Sequence, residues 1–468
     1  MSSADLDREY VWHPFTQMRD WNSSAYSPLV IVEGYGAVLK AEDGREYLDG
    51  NSSIWTNLHG HRRQEIDQAI KNQLDRIAHS SFLGLTNDVA PRLARELVEA
   101  SALTGHKVFF SDDGSTAMEA ALKMVFQARI QRGETKRTTY VSISNGYHGD
   151  TVGAMSAGHS PLFHAAYKPL LFETREVMSP ACYRCPHNRA EPVRGTDARV
   201  SRQCNWECVD ELKTELNALG ETASAFVLEP SVQGAAGMTM HPQGYLEKAA
   251  AICRERGVWL VLDEVMTGFG RTGTMFAFQK EKVAPDVLAL AKGLTSGYLP
   301  VAATLASREV FDAFLGEFSD LKTFFHGHSY TGNALGCAAG LANLEIFKTG
   351  NTLQKNSALQ KTLAKQIAQF WDHPHVGDVR QEGLICAIEI VHDFKTRQPF
   401  PFAERIGHRI CEAARKHGLL TRPVGDVLVL MPPYCVTEDQ LADMMKALWR
   451  GLEEILPSQI RNQRHSIE

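Results

Sequence analysis

Residues 258–293 read VWLVLDEVMTGFGRTGTMFAFQKEKVAPDVLALAKG. Two apolar runs stand in this stretch, VWLVLDEV (258–265) and DVLALAKG (286–293), and each closes on an ionisable residue before a turn. Neither run alternates polar with apolar residues, so each reads as a strand buried on both faces. Runs of the same kind recur outward from here: KVFF (107–110), YVSIS (140–144), AFVLE (225–229) and VAATLA (301–306). Helical spacing separates them. Met118, Ala121, Leu122, Val125 and Phe126 share one face, and GYLEKAAAICRERG (244–257) leads straight into the strand at 258–265. Buried strands separated by helices predict an α/β fold built on a mostly parallel sheet.

The flanks read differently. VIVEGYGAVLKAEDGREYLDG (30–50) alternates and carries glycine turns, as a small antiparallel unit does. ALGCAAGLANLEIF (334–347) opens a long helical pattern, followed by DVRQEGLICAIEIV, VLVLMPP and a terminal helix. A chain of 468 residues exceeds one ordinary core. We expect a large domain over 76–330, interrupted by an insertion of odd composition at 179–208. A smaller α+β domain is expected from both chain ends, residues 1–75 and 331–468.

The chain is 44% apolar and 22% charged, and its formal net charge is −6 with no long block of one sign. That balance argues against a nucleic-acid groove or a membrane-surface patch and leaves small molecules as the expected partners. The N-terminal MSSADLDREYVWHPF is interrupted early by charges, unlike the apolar core of a signal peptide. No apolar run reaches the roughly 20 residues of a membrane span. The cytoplasm is the expected compartment, with the nine cysteines mostly reduced.

Three places carry candidate chemistry. Asp113-Gly114-Ser115-Thr116 lies between a strand and an amphipathic helix. Backbone N–H groups at such a helix start bind anions, although an ordinary N-cap reads the same way. Asp263 ends an apolar strand at the carboxyl edge of the sheet, where open α/β folds bind ligands. It suits a protonated heteroaromatic nitrogen; capping a turn or pairing with Arg271 is the alternative. Lys292 follows the run VLALA. A lysine desolvated there has a lowered pKa and a lone pair free for Schiff-base formation, whereas a snorkelling surface lysine is the plainer reading.

The order of these features, with Tyr147-His148 between the first and second, resembles the fold type I enzymes that use pyridoxal 5′-phosphate (PLP). Within them it is similar to the class III aminotransferases. The likeness rests on FVLEPSVQGAAGM (226–238), LVLDEVMTGFGRTG (260–273), APDVLALAKGLTSGYLP (284–300) and HGHSYTGNALGCAA (326–339), and covers nearly the whole chain outside 179–208. It implies that Lys292 is the catalytic lysine that carries PLP. It implies that Asp263 faces the pyridinium nitrogen, Tyr147 stacks on the ring, Gly114 and Ser115 cradle the phosphate and Gln233 approaches the phenolic oxygen. His328 and Ser329 match the place where a neighbouring subunit completes the cradle, so the resemblance also implies a homodimer with shared sites.

VWHPFTQM (11–18), NSSIWTNLHGH (51–61), NGYHGDTVGAMS (145–156) and LLTRPVGDVLVLMPP (419–433) narrow the likeness. They resemble the branch of the family that aminates 8-amino-7-oxononanoate in biotin biosynthesis. That substrate joins a keto group and an amine to a distant carboxylate. The resemblance implies Arg422 for the carboxylate, Phe15, Trp55 and Tyr147 around the apolar chain, Lys292 at the reacting carbon and Gly327 leaving room at the dimer boundary. Three positions depart from the branch: Phe15 replaces tyrosine, Ile54 precedes Trp55 where a second tryptophan is common, and HGHSYTGN stands for HGPTFMGN. All three lie toward substrate. They leave the amino donor open between S-adenosylmethionine and lysine. Another class III ω-aminotransferase, acting on a diamine or ω-amino acid, is the nearest rival reading.

The insertion holds Cys182-x2-Cys185 and Cys204-x3-Cys208. Two close thiol pairs have the chemistry of a tetrahedral zinc site, and a surface loop with ordinary thiols is the alternative. No catalytic metal is expected, because a PLP electron sink suffices for transamination.

Overall fold

The computed structural model describes residues 1–23 and 26–458. Its centre is a seven-stranded sheet in the order 107–111, 302–306, 287–290, 259–263, 223–228, 139–143, 175–177. The strand Trp259–Asp263 runs parallel to both neighbours, pairing Leu262 with Leu228 on one side and Asp263 with Ala289 on the other. Only Ala302–Ala306 runs against the rest, antiparallel to Val287–Leu290 and to Lys107–Ser111. The predicted mostly parallel α/β sheet is present, and each apolar run quoted above supplies one strand.

Why these runs lack alternation is visible in where their side chains go. Phe226, Leu228, Leu260, Leu262, Leu288 and Leu290 enter one hydrophobic core, against Leu93, Leu97, Leu212 and Tyr245. Their sequence neighbours Ala225, Val227, Val261, Val287 and Ala289 enter the opposite core, against Met118, Ala121 and Val125 of the helix Gly114–Gln131. Both faces are covered, so both sets must be apolar. Each buried valine, leucine or phenylalanine contributes roughly 1.5–3 kcal/mol. The helix Ala334–Thr349 joins the first of these cores through Ala334, Cys337 and Leu344.

Two smaller sheets flank the centre. Ile31–Tyr35, Val38–Ala41 and Glu46–Asp49 form an antiparallel meander, and Leu419–Leu420 adds a fourth strand by pairing Leu419 in parallel with Leu48. The other contains Val376–Glu382, Ile385–Ile390, Val427–Leu430 and Pro423–Val424. The two sheets share a core closed by the helices Ile406–Lys416 and Glu438–Ile455. No described helix is long and apolar enough to cross a membrane.

The 179–208 segment lies as a strap between the central sheet and the C-terminal sheet. Arg184 pairs with Glu389 at 2.7 Å, Arg199 pairs with Glu382 at 2.8 Å, and Arg194 donates to the carbonyls of Trp371, His373 and Pro374. Tyr183 fills the space over Gly377, where an added Cβ would come within 2.2 Å of its hydroxyl.

A second clamp joins the same parts. Buried Arg380 contacts Asp378 and Glu389 at 3.1 and 2.7 Å and donates to the carbonyls of Gly237 and Met238. Arg380→Met strands buried Asp378 and leaves Glu389 to Arg184 alone. We expect a loss of about 3–5 kcal/mol in urea unfolding, and a shift below 1 kcal/mol would show the clamp to be unimportant.

Candidate active site

Three strand ends meet at the carboxyl edge of the sheet. Asp263 is the last residue of its strand and is buried. The adjacent strand stops at Leu290, and Lys292 opens a short 3-10 turn, Lys292–Thr295, with a positive φ of 36°. That turn is held from outside. Buried Asn343 donates from Nδ2 to the carbonyls of Gly293 and Leu294 at 3.0 and 2.9 Å. Its Oδ1 lies 2.9 Å from His59 Nε2, and Ser296 Oγ accepts from the N–H groups of Leu58 and His59. The lysine is thus fixed at its backbone while its amine stays unpaired among the described residues, 5.4 Å from the centre of the Trp55 ring. Burial lowers the Lys292 pKa, against the opposing pull of Asp263 and Glu229.

Asp263 accepts a 2.7 Å hydrogen bond from His148 Nδ1 through Oδ2 and a 3.0 Å bond from Val265 N–H through Oδ1. Burial alone would lower the His148 pKa, but the bond to Asp263 and its charge win and raise it. Glu229, also buried, accepts from the N–H groups of Tyr147 and Gly234. Desolvation lifts its pKa to about 7. Tyr147 is pinned at both ends, by that backbone bond and by its hydroxyl donating to Asp150 at 2.8 Å. The site therefore holds one anchored carboxylate, one carboxyl poised near neutrality and one desolvated amine.

The anion site lies across this edge. Asp113 caps the helix Gly114–Gln131, taking the Thr116 N–H on its carboxylate and returning the Thr116 hydroxyl to its own backbone. The first N–H groups of the helix, those of Gly114 and Ser115, have no intrahelical acceptor and face the mouth. A Cβ at Gly114 would stand 2.6 Å from Val265 Cγ1, and one at Gly149, where φ is +123°, would stand 2.3 Å from Ser115 Oγ. Ser115 Oγ accepts from Thr151 N–H at 3.0 Å and bonds its hydroxyl at 2.7 Å. Behind the mouth, His328 Nδ1 lies 3.2 Å from Asp112, and its Nε2 is buried without a partner.

The remaining residues named from sequence divide into two groups. Trp55 lies inside, with Nε1 donating to Asn51, in a cluster that includes Met266, Val427 and, at its edge, Val424. Arg422, exposed and without an ion-pair partner among the described residues, precedes the strand Pro423–Val424 that reaches that cluster. Phe15 is 62% exposed and meets Phe163 edge-on at 5.4 Å, and Phe163 in turn meets Tyr147 at 5.9 Å. Gly327 faces open space. Others are engaged elsewhere. Gln233 is buried, donates to the Ser144 carbonyl, accepts from Ser179 and has His241 at 3.4 Å. Ser329 accepts at its carbonyl from His79. Arg271 pairs with no acid among the described residues: it donates to the carbonyls of Pro432 and Asn57 beneath Tyr434.

Sequence reasoning named His148 without a role and passed over Asp150, Thr151 and Asn343. The first three follow Tyr147 directly, so the motif that flagged Tyr147 held them too. Asn343 had only one signal, a polar residue inside an apolar helical pattern. Together these groups can hold a phosphate at the helix mouth, a protonated ring nitrogen at Asp263 and a carbonyl carbon at Lys292.

The class-III aminotransferase family model matches residues 21–452. The adenosylmethionine-8-amino-7-oxononanoate aminotransferase of Geobacter sulfurreducens is 45% identical over 451 residues, 96% of this chain and 97% of that protein. The crystal structure of the enzyme of that name from Methanocaldococcus jannaschii superposes with a TM-score of 0.89 at 41% identity, covering 97% and 99% of the two chains. A PLP-bound amine transaminase from an uncultivated Pseudomonas species gives a TM-score of 0.86 at 35% identity, covering 95% and 99%.

The clamp on the lysine turn titrates. Burial lowers the His59 pKa from 6.5 to about 4. A depressed folded-state value means that the neutral ring's contribution is fully present above pH 6.5 and is lost as pH falls through about 4. The stability advantage of wild type over His59→Gln should therefore shrink, by on the order of 3 kcal/mol, between pH 7 and pH 4. Denaturant unfolding at each pH reads it, and a constant difference would refute it.

Proposed function

The chain belongs to the class-III aminotransferase family, and on that premise we propose that it transfers an amino group to 8-amino-7-oxononanoate, forming 7,8-diaminononanoate for biotin synthesis, with S-adenosylmethionine as donor. The observation that carries the reading is the joint placement of Asp263, Lys292 and the Gly114 helix mouth at one sheet edge, in a chain this similar to enzymes of that printed activity. The family uses PLP, and the residues fit it. Gly114 and Gly149, lacking Cβ atoms, let Val265 and Ser115 pack closely around the helix mouth, whose free N–H groups suit a phosphate. Asp263, supported by His148, suits the pyridinium nitrogen, and the pinned Tyr147 offers a fixed aromatic face.

When bound, PLP supplies an electron sink for the charge left as the donor's Cα–H bond breaks. This chain's residues do the rest. Asp263, held in place by its bond to His148, would pair with the protonated ring nitrogen. Lys292 Nζ, whose pKa burial lowers, would hold the cofactor and would move the proton between the donor carbon and the cofactor side. Trp55, Phe15 and Tyr147 exclude water and enclose the apolar chain of the acceptor. Arg422, lacking an acid of its own, holds the acceptor's carboxylate. Gln233, held by Ser144 and Ser179, would approach the cofactor's phenolic oxygen.

We assign His328 and Ser329 to the cradle of the facing chain in a homodimer. Phe325 and Tyr330, 73% and 62% exposed, flank them. Exposed aromatics beside an incomplete site mark a surface for a second copy.

The test incubates PLP-loaded protein with 8-amino-7-oxononanoate and either S-adenosylmethionine or lysine, with diaminononanoate detected by mass. Product with S-adenosylmethionine is expected; product with lysine alone would reassign the donor, and none with either would discard the substrate. Lys292→Ala should abolish turnover in a folded dimer. Arg422→Ala should lower kcat/KM for the keto acid about 10- to 100-fold, or about 1.5–3 kcal/mol, with little change toward the donor.

A further inference from the structure

The chemistry above leaves the 179–208 strap unused. Its cysteines come from opposite ends of the segment, Cys182 and Cys185 from one and Cys204 and Cys208 from the other. All four are free thiols, and all four line one small cavity together with Arg202 and Trp206. That cavity has room for about 10 Å³, the space of a single water-sized sphere, enough for one water or one ion and too small for an organic molecule. The arginines tie the strap to the C-terminal sheet, but little consolidates it internally. Its regular structure before Glu207 is the four-residue helix Ala198–Ser201, and its own apolar cluster is Cys182, Tyr183 and Ala198. A segment with so small a core needs a cross-link to hold one conformation.

We propose that Cys182, Cys185, Cys204 and Cys208 bind one Zn²⁺ ion as a structural staple. The spacings x2 and x3 both fall within the two-to-four-residue gap of zinc thiolate pairs. Among the described residues no three His, Cys, Asp or Glu side chains already stand close enough to hold a metal, so the thiols must turn inward about χ1. Cys185 and Cys204, only partly buried, have the freedom to do so. As each Sγ–Zn bond forms, the thiol proton leaves to solvent, and four thiolates around Zn²⁺ carry a net double negative charge. Arg202, in the cavity wall and 4.4 Å over the Trp206 ring, offsets part of it. The staple would fix both roots of the strap, including Ser179, whose hydroxyl donates to Gln233 beside the active site.

Full-length protein purified with a thiol reductant and without chelator should contain about one zinc per chain by mass spectrometry of the metal. Reconstitution with Co²⁺ should give the intense near-ultraviolet charge-transfer band of cobalt thiolates. Cys185→Ser/Cys204→Ser should lose the zinc while keeping the absorbance of bound PLP, and should melt lower than wild type. If that variant fails to fold, the cobalt spectrum of the wild type decides. Zinc retained in the variant, metal-free wild type after incubation with zinc, or an intact mass short of four hydrogens, as two disulfides require, would each overturn the site.

Discussion

A carboxylate at the end of an apolar strand is costly to bury, and the active site is organised around how Asp263 meets that cost. Its strand is the middle one of the sheet, apolar on both faces, so there is no water to solvate the charge. His148 supplies a short charge-assisted bond, and Val265 supplies a backbone donor. The same charge steadies the raised pKa of His148 and resists the fall in that of Lys292. Moving Asp263 would therefore disturb the histidine, the lysine and the helix mouth at once, because Val265, whose N–H it holds, is the residue packed against Gly114.

The second constraint is rigidity around the lysine. A side chain that must both hold a cofactor and move a proton needs freedom at its tip and none at its root. Asn343 and Ser296 provide the latter through hydrogen bonds to backbone, drawn from the helix 334–349 and from the turn itself. Binding and catalysis thus depend on a helix that contributes no group to the reaction.

The central sheet was legible because complete burial leaves a strong mark: runs such as VWLVLDEV and VAATLA have no polar face to confuse the pattern. Asp263 and Lys292 were legible for the complementary reason, as charged residues at the ends of such runs. The supports were harder to read. His148 meets Asp263 across 115 residues, and Asn343 meets His59 across 284. No local periodicity encodes a partner that distant. Strands of two and four residues such as Leu419–Leu420, Pro423–Val424 and Val427–Leu430 carry too little pattern to show which sheet they join. The strap was legible as an oddity of composition, while its function as a bridge depends on arginines that find their acceptors only in the folded C-terminal sheet.

The pairing of Leu419 with Leu48 sets a schedule on the ribosome. The meander at the N-terminus is made first, yet its last strand arrives with residues made near the end of translation. At roughly 5–20 residues per second, the nascent chain carries an unpaired sheet edge for on the order of half a minute. Ile31 and Val32, on the outer strand of that meander, remain exposed even in the finished fold. In the unfinished chain they lie on a meander whose other edge is also open, so both edges of this unit are free to pair with other chains while the rest of the protein is being made.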